Sequence, residues 1–180
     1  MIITAYQTLE DKDNLDEVET DGPYECRRND AWLGFGHYFW DTNIEWAKAW
    51  GEGSYKRRGK AYIIGRCQLD LSKDCFDLMG NVNHQQDILQ TIEVLKQSGK
   101  LKENSKFILP NIIAYLKLKG LFPYKSIRAN DNYNKVVTMH FNERKHEYMF
   151  INQRVQVCVI NIEEVILRPF KVIYPDKYLT

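Results

Sequence analysis

Segments with strand character lie at both ends of this chain, and a helical stretch separates them. Six segments are β-branched, aromatic or continuously apolar, as strands are: residues 1–8, 37–41, 60–71, 134–141, 154–161 and 163–173. The segment 60–71 is apolar on successive residues, which indicates a central strand of a sheet. This order of segments predicts an α+β domain with a mixed or mostly antiparallel sheet.

Residues 82–121 are the helical stretch. Apolar residues recur at positions 88, 89, 92 and 95, and again at 112, 113, 116 and 118, which places each set on one helix face. A polar linker at 98–105 separates the two sets. A further helix is predicted to begin at Asp41 or Thr42. We therefore expect one domain over residues 1–180, with a two-helix insertion at about 82–121 that either caps the sheet or binds an antitoxin or regulator.

The composition excludes several classes of protein. The chain of 180 residues is 44% hydrophobic and 27% charged, with a net charge of +1, so no global field attracts nucleic acid or an anionic membrane. No apolar run approaches the roughly 18 residues of a membrane-spanning helix. The acidic first 17 residues lack the features of a signal peptide. We expect a cytoplasmic protein without membrane association.

Cysteines and histidines give no metal or catalytic pattern. The four cysteines form no C-x-x-C pair, and the four histidines lack metal-ligand spacing, which argues against structural zinc. Separate, reduced thiols fit a cytosolic protein. The P-loop, the dinucleotide-binding glycine fingerprint and the nucleophile elbow are absent. A Cys-His pair that meets only in space stays open.

The densest motif runs from residue 29 to residue 51. Gly34 and Gly36 allow a sharp turn and a close approach of the backbone to a ligand, and the ring of Tyr38 follows directly. The alternative interpretation is an aromatic core, in which six rings of this segment only pack: Trp32, Phe35, Phe39, Trp40, Trp46 and Trp50. Core packing explains the strand and helix positions, but it does not explain two glycines among so many aromatic residues.

This motif resembles the second motif of the ADP-ribosyltransferases of the poly(ADP-ribose) polymerase-like and diphtheria-toxin-like type. The similarity is strongest to small bacterial and phage-encoded members with a W-L-G-x-G-x-Y-F-W core. Residues 5–8 (AYQT) resemble their first motif, Y-H-G-T, and residues 156–159 (QVCV) resemble the third-motif strand. The resemblance covers about residues 1–80 and 133–172. It implies a split mixed or antiparallel sheet core and a site that binds NAD.

The resemblance also implies roles for individual residues in the cofactor site. Tyr38 matches the tyrosine that stacks on nicotinamide, and Gly36 matches the glycine beside the ligand. Tyr6 stands where a histidine holds the adenosine-side ribose, and Gln7 where a glycine backbone grips the carboxamide. Thr8 completes the first motif.

Gln156 stands where these enzymes have the catalytic glutamate. A carboxylate there opposes the positive charge that develops on the ribose, whereas glutamine keeps an acceptor oxygen without the charge. Glu143 lies in a segment, residues 141–143, that resembles an F-x-E-G stretch of the relatives. Glu143 and Glu147 are the candidates to supply the missing charge, and both also fit a solvated bend at 142–153.

Basic residues near these motifs are candidates to bind phosphate. Arg28, with Arg27, precedes the second motif, and Arg154 begins the third-motif strand. Arginine suits bidentate contacts to the pyrophosphate of NAD. The basic run at 56–60 suits the phosphates of a nucleic-acid acceptor or, equally, a solvated turn.

The resemblance implies a mono-ADP-ribosyltransferase that moves ADP-ribose from NAD, as co-substrate, to a protein or nucleic-acid acceptor. Such an enzyme would act as a toxin, an effector or a phage-defence protein. One alternative is an inactive domain of the same fold that binds NAD, ADP-ribose or a macromolecular partner. Another is a protein- or RNA-binding domain that works through residues 82–121. The residue at position 156 distinguishes the transferase from the inactive domain of the same fold.

Overall fold

The computed structural model of the chain describes residues 1–102, 104–131, 137–143 and 146–178. The strands are β1 (Ile2–Glu10), β2 (His37–Asp41), β3 (Tyr62–Asp70), β4 (Cys75–Asp77), β5 (Ser126–Asn130), β6 (Val137–His140), β7 (Tyr148–Ile151), β8 (Val155–Val159) and β9 (Ile166–Tyr174). The helices are α1 (Leu15–Asp21), α2 (Ile44–Ser54), α3 (Val82–Gln97), α4 (Leu109–Leu118) and α5 (Ile162–Val165).

Seven strands form one sheet in the order β4-β5-β8-β2-β1-β3-β9. The β4–β5 pair is parallel and the other neighbouring pairs are antiparallel. Strands β6 and β7 follow β5 and precede β8 in the chain, and they form a separate two-stranded hairpin. The chain is therefore an α+β protein with a mixed, mostly antiparallel sheet, as the order of segments predicted.

Both faces of the central strands are buried. Alternate residues of a strand point to opposite faces, and neighbouring residues here join different apolar clusters. Phe39 belongs to a cluster with Ala5 and Phe170, whereas Trp40 belongs to a cluster with Ala47 of α2. This double burial explains why the segments of β2 and β3 read as continuous apolar runs.

The predicted helical insertion is present as α3 and α4. Ile92 of α3 packs against Ile112 and Leu116 of α4. Ile113 of α4 joins Phe76 and Ile127 in a cluster that also contains residues of β8. The insertion therefore packs on the sheet where β4 and β5 lie.

Several local predictions are corrected. The short strands β4 and β5 and the helix α1 have weak apolar patterns and were not predicted. Residues 142–153, predicted as a bend, contain β7. Helix α2 begins after Asn43, whose side chain accepts a hydrogen bond from the backbone N–H of Glu45. Of the strand predicted at 134–141, residues 137–140 are a strand, and residues 134–136 lie outside the described part.

A buried charged network joins three strands of the sheet. The Arg128 guanidinium on β5 lies 2.6 Å from Asp41 of β2 and 3.2 Å from Asp77 of β4. Burial alone would lower the pKa of Arg128, but the hydrogen bonds and charges of the two carboxylates raise it. The network reaches across β8 and holds β5 in place at the centre of this half of the sheet.

Candidate functional site

A cavity of about 330 Å³ opens beside β1, β2 and β8. Its volume falls within the range of small-molecule sites. The wall is rich in aromatic rings and includes few charges. It consists of Gln7, Thr8, Leu9, Tyr24, Glu25, Cys26, Arg28, Ala31, Trp32, Tyr38, Trp40, Trp50, Tyr55, Asp131 and Gln156.

The cavity exists because β1 and β2 pair over only two positions. Ala5 pairs with Asp41 and Tyr6 with Trp40, and from Gln7 onward β1 continues with β3 alone. The side chain of Gln7 fills part of the gap. Its Nε2 donates to the backbone oxygen of Tyr24 at 2.9 Å, and its Oε1 accepts from the Tyr24 N–H at 2.8 Å. The Gln7 amide thus holds one wall of the cavity.

Tyr38 presents its ring to the cavity while its hydroxyl is bound elsewhere. The hydroxyl donates to the backbone oxygen of Gly34 at 2.7 Å and accepts from the N–H of Leu33 at 2.9 Å. Burial, together with the nearby Cys158 thiol, raises the pKa of Tyr38 well above its ordinary value of 10.0. The ring is therefore fixed in place, and the hydroxyl stays protonated at neutral pH.

Gln156 lies on β8 with its side chain in the cavity wall, and it is only 7% exposed. Its Oε1 accepts a hydrogen bond of 2.8 Å from the indole Nε1 of Trp32. Its backbone pairs with Trp40 of β2 on one side and with Ala129 of β5 on the other. The two motifs that contain Trp32 and Gln156 therefore meet at this wall.

Six aromatic rings line the cavity: Tyr24, Trp32, Tyr38, Trp40, Trp50 and Tyr55. The rings of Trp40 and Trp50 lie 6.2 Å apart at 52°. The guanidinium of Arg28 lies 5.9 Å from the ring centre of Trp50. Trp40 is a core residue, as the packing alternative predicted, whereas Trp32 and Trp50 are only partly buried and give the cavity apolar surface beside the Arg28 cation. Such a surface suits a ligand with a planar ring and a negative charge.

Asp131 places a carboxylate on the cavity wall that the sequence did not indicate. It forms an ion pair of 2.8 Å with Arg154, whose guanidinium lies 4.9 Å from the ring centre of Trp40. Asp131 directly follows β5, in which Ala129 pairs with Gln156. Residues two apart on a strand share a face, so the register puts Asp131, Arg154 and Gln156 on one face of the sheet. Recognition of β5 as the partner of β8 would have revealed this residue.

The structure divides the predicted site residues into two groups. Gln7, Thr8, Arg28, Tyr38 and Gln156 line the same cavity. The hydroxyl of Thr8 donates to the backbone oxygen of Ala47 at 2.8 Å, which joins β1 to α2. Tyr6, Gly36 and Glu143 do not line it.

The positions of those three residues have physical reasons. Tyr6 packs into the apolar cluster of Trp40 and Ala47. At Gly36 a side chain would meet the Sγ of Cys158 at 2.7 Å, so this glycine permits the close contact with β8. Glu143 is exposed at the turn of the β6–β7 hairpin, outside the cavity, and Glu147 is exposed in the same hairpin.

In the described part of the chain, no group of three or more His, Cys, Asp or Glu residues could hold a metal ion. The helices described here include none that is long and apolar enough to cross a membrane. Comparisons with protein-family models, curated proteins and solved structures found no match to the chain.

Proposed function

We propose that the cavity binds NAD and that the domain transfers ADP-ribose from it to a protein or nucleic-acid acceptor. One observation supports this above all: residues from three separate motifs line a single cavity. These are Gln7 and Thr8 of the first motif, Tyr38 of the second and Gln156 of the third. The same three motifs carry the resemblance to the ADP-ribosyltransferases.

The wall offers suitable groups for each part of NAD. The immobilised ring of Tyr38 provides a face on which nicotinamide stacks, a contact worth roughly 0.5–1.5 kcal/mol beyond its burial. Arg28 provides a guanidinium for the pyrophosphate, since its side chain is mostly exposed and its ion pair with Asp30 lies at the surface. Tryptophan rings complete an apolar pocket around the remaining groups.

Transfer needs negative charge near the ribose. The glycosidic bond between C1′ and the nicotinamide nitrogen breaks, and its electron pair leaves with nicotinamide. The acceptor's nucleophile forms the new bond to C1′ and loses its proton to solvent. Positive charge develops on the ribose between these events, and a fixed carboxylate stabilises it. Gln156 lacks that charge, so we assign the stabilising role to Asp131 on the same wall, whose carboxylate Arg154 holds in an ion pair that partly offsets its charge.

The test measures free nicotinamide after incubation of the protein with NAD, with and without cell lysate. Asp131→Asn should lower release about a hundredfold, which is the range for removing one such electrostatic group. Glu143→Gln is the matched control, because Glu143 is exposed outside the cavity, and it should leave release unchanged. Thermal unfolding of Asp131→Asn checks that the lost ion pair with Arg154 has not unfolded the domain.

The environment of Gln156 favours a second function, namely binding of NAD or ADP-ribose without transfer. The residue carries an amide, and its oxygen already accepts a hydrogen bond from Trp32. A rise in the melting temperature with NAD, but no release of nicotinamide under any condition, would favour this function. Absence of both effects would refute NAD binding altogether.

A further inference from the structure

Most polar groups that line the cavity are already hydrogen-bonded within the protein. Both ends of the Gln7 amide bind the backbone of Tyr24. The Tyr38 hydroxyl donates one hydrogen bond and accepts another from the backbone. Neither group has a strong hydrogen bond left to offer a ligand. The polar contact to a ligand at this part of the wall must come from another residue.

Gln156 differs because only one end of its amide is engaged. An indole N–H can only donate, so the atom that faces Trp32 must be the amide oxygen and not the nitrogen. This fixes the orientation of a side chain whose two ends are otherwise hard to distinguish. Within the residues that the structure describes, Nε2 of Gln156 has no hydrogen-bond partner, although the residue is more than nine-tenths buried.

We propose that Trp32 is a positioning residue that turns the Gln156 amide so that its NH₂ group faces the cavity as a donor. The ligand group bound there is then a hydrogen-bond acceptor, such as a hydroxyl or carbonyl oxygen. A carboxylate at this position would instead accept a hydrogen bond from a ligand hydroxyl. The polarity of this subsite is therefore the reverse of the one expected for a glutamate. The choice of NAD as the ligand rests on the proposed function; the orientation of the amide does not.

The orientation can be measured without any ligand by proton exchange in ¹⁵N-labelled protein. The indole proton of Trp32 should be protected, because it is held by the amide oxygen. The side-chain NH₂ protons of Gln156 should exchange readily with water in the cavity. The opposite pattern, with a protected NH₂ and an exchanging indole, would overturn the proposal.

The ligand arm of the experiment uses NAD as the probe. On titration, the Gln156 NH₂ signals should shift as they bind the ligand, while the Trp32 indole proton stays protected from exchange. If NAD binds and the indole proton loses its protection from exchange, the amide has turned over and the proposal is wrong. If NAD does not bind, the proposed function fails, and the exchange measurement still decides the orientation.

Variants at each position distinguish the role of Gln156 from that of Trp32. Gln156→Glu can still accept from Trp32 but offers no donor at neutral pH, so we expect about a tenfold loss of NAD affinity. Unchanged or tighter binding would contradict the donor role. Trp32→Phe removes the indole N–H and should make the two Gln156 NH₂ signals broaden. Trp50→Phe is the control, since it removes an indole from the same wall and should leave those signals sharp.

Discussion

The indole N–H of Trp32 and the side-chain oxygen of Gln156 are joined by a 2.8 Å hydrogen bond, although the residues lie 124 positions apart in the chain. The bond ties the loop before β2 to the buried strand β8. It also brings the W-L-G segment and the Q-V-C-V segment to one wall of the cavity. Two motifs that look independent in the sequence thus form a single structural unit.

Gln7→Leu tests whether the cavity wall depends on a side-chain amide. Leucine has a similar size but leaves the backbone N–H and oxygen of Tyr24 without their partners. We expect the free energy of unfolding to fall by about 1–3 kcal/mol, measured by urea denaturation. NAD-dependent stabilisation should fall as well, because Tyr24 and its neighbours would lose their attachment to β1.

The matched control for this variant is Gln86→Leu on the exposed surface of α3, which should change the free energy of unfolding by less than about 0.5 kcal/mol. A Gln7→Leu protein as stable as the wild type would show that the Tyr24 segment is held by other contacts.

The sheet could be predicted only where a strand carries its own pattern. The segments of β1, β2, β3, β8 and β9 are apolar enough to be recognised from the sequence. In contrast, β5 reads SIRAN, with a serine, an arginine and an asparagine in five residues. Its arginine is paired only once β2 and β4 supply the carboxylates of Asp41 and Asp77. A strand stabilised by such distant partners has no local signal.

The same limit explains which residues of the candidate site could be predicted from the sequence. Gln7, Thr8, Arg28, Tyr38 and Gln156 were predicted because the motifs that contain or flank them are distinctive, and all five line the cavity. Asp131 was missed because it follows the unrecognised strand β5. Glu143 lies exposed in the β6–β7 hairpin, outside the cavity, and its catalytic role stays a prediction. The pairing of β5 with β8 is the information that the sequence lacked.

Cysteine labelling tests the accessibility of the cavity. Cys26 lines the cavity, whereas Cys67 and Cys158 are buried, and burial raises the pKa of each of these two thiols to about 12. Only a thiolate reacts with iodoacetamide, so at pH 8 we expect labelling of Cys26 but not of Cys67 or Cys158. Mass spectrometry of the labelled protein gives the rate at each position.

NAD should slow the labelling of Cys26 severalfold if it occupies the cavity. Cys75 provides an internal control, because it is half-buried outside the cavity and its slow labelling should not respond to NAD. Equal labelling of Cys26 with and without NAD, at a concentration that raises the melting temperature, would place the ligand elsewhere.

Stability should fall in alkaline solution because of the two buried thiols. Cys67 and Cys158 have pKa values of about 12 in the folded protein, against an ordinary value of 9.0 in the unfolded chain. Above pH 9 the unfolded chain loses these protons first, so the folded state is progressively destabilised up to pH 12. Each thiol contributes at most about 1.4 kcal/mol per pH unit in this window.

A double variant, Cys67→Ala with Cys158→Ala, isolates the contribution of the two thiols when it is compared with the wild type. Tyr38 and other buried tyrosines also titrate in the alkaline range, so the wild type alone is not decisive. The free energy of unfolding, measured by urea denaturation from pH 8 to pH 11, should fall less steeply in the double variant. Parallel curves for the two proteins would mean that the thiols do not contribute.

Tyr38→Phe separates the ring of this residue from its hydroxyl. The hydroxyl bonds the backbone of Leu33 and Gly34 and does not face the ligand, so its removal should cost about 1–3 kcal/mol of stability. The ring remains, and NAD affinity should therefore stay within about threefold of the wild type. Tyr38→Ala removes the ring as well and should lower the affinity about tenfold or more.

Calorimetric titration with NAD and urea denaturation together distinguish these outcomes. Tyr148→Phe is the control for loss of a hydroxyl, because this tyrosine is exposed on β7, and it should change neither quantity. If Tyr38→Phe kept its stability but no longer bound NAD, the hydroxyl would have to contact the ligand directly. The interpretation of Tyr38 as a fixed stacking surface would then fail, because its hydroxyl cannot serve the backbone and a ligand at once.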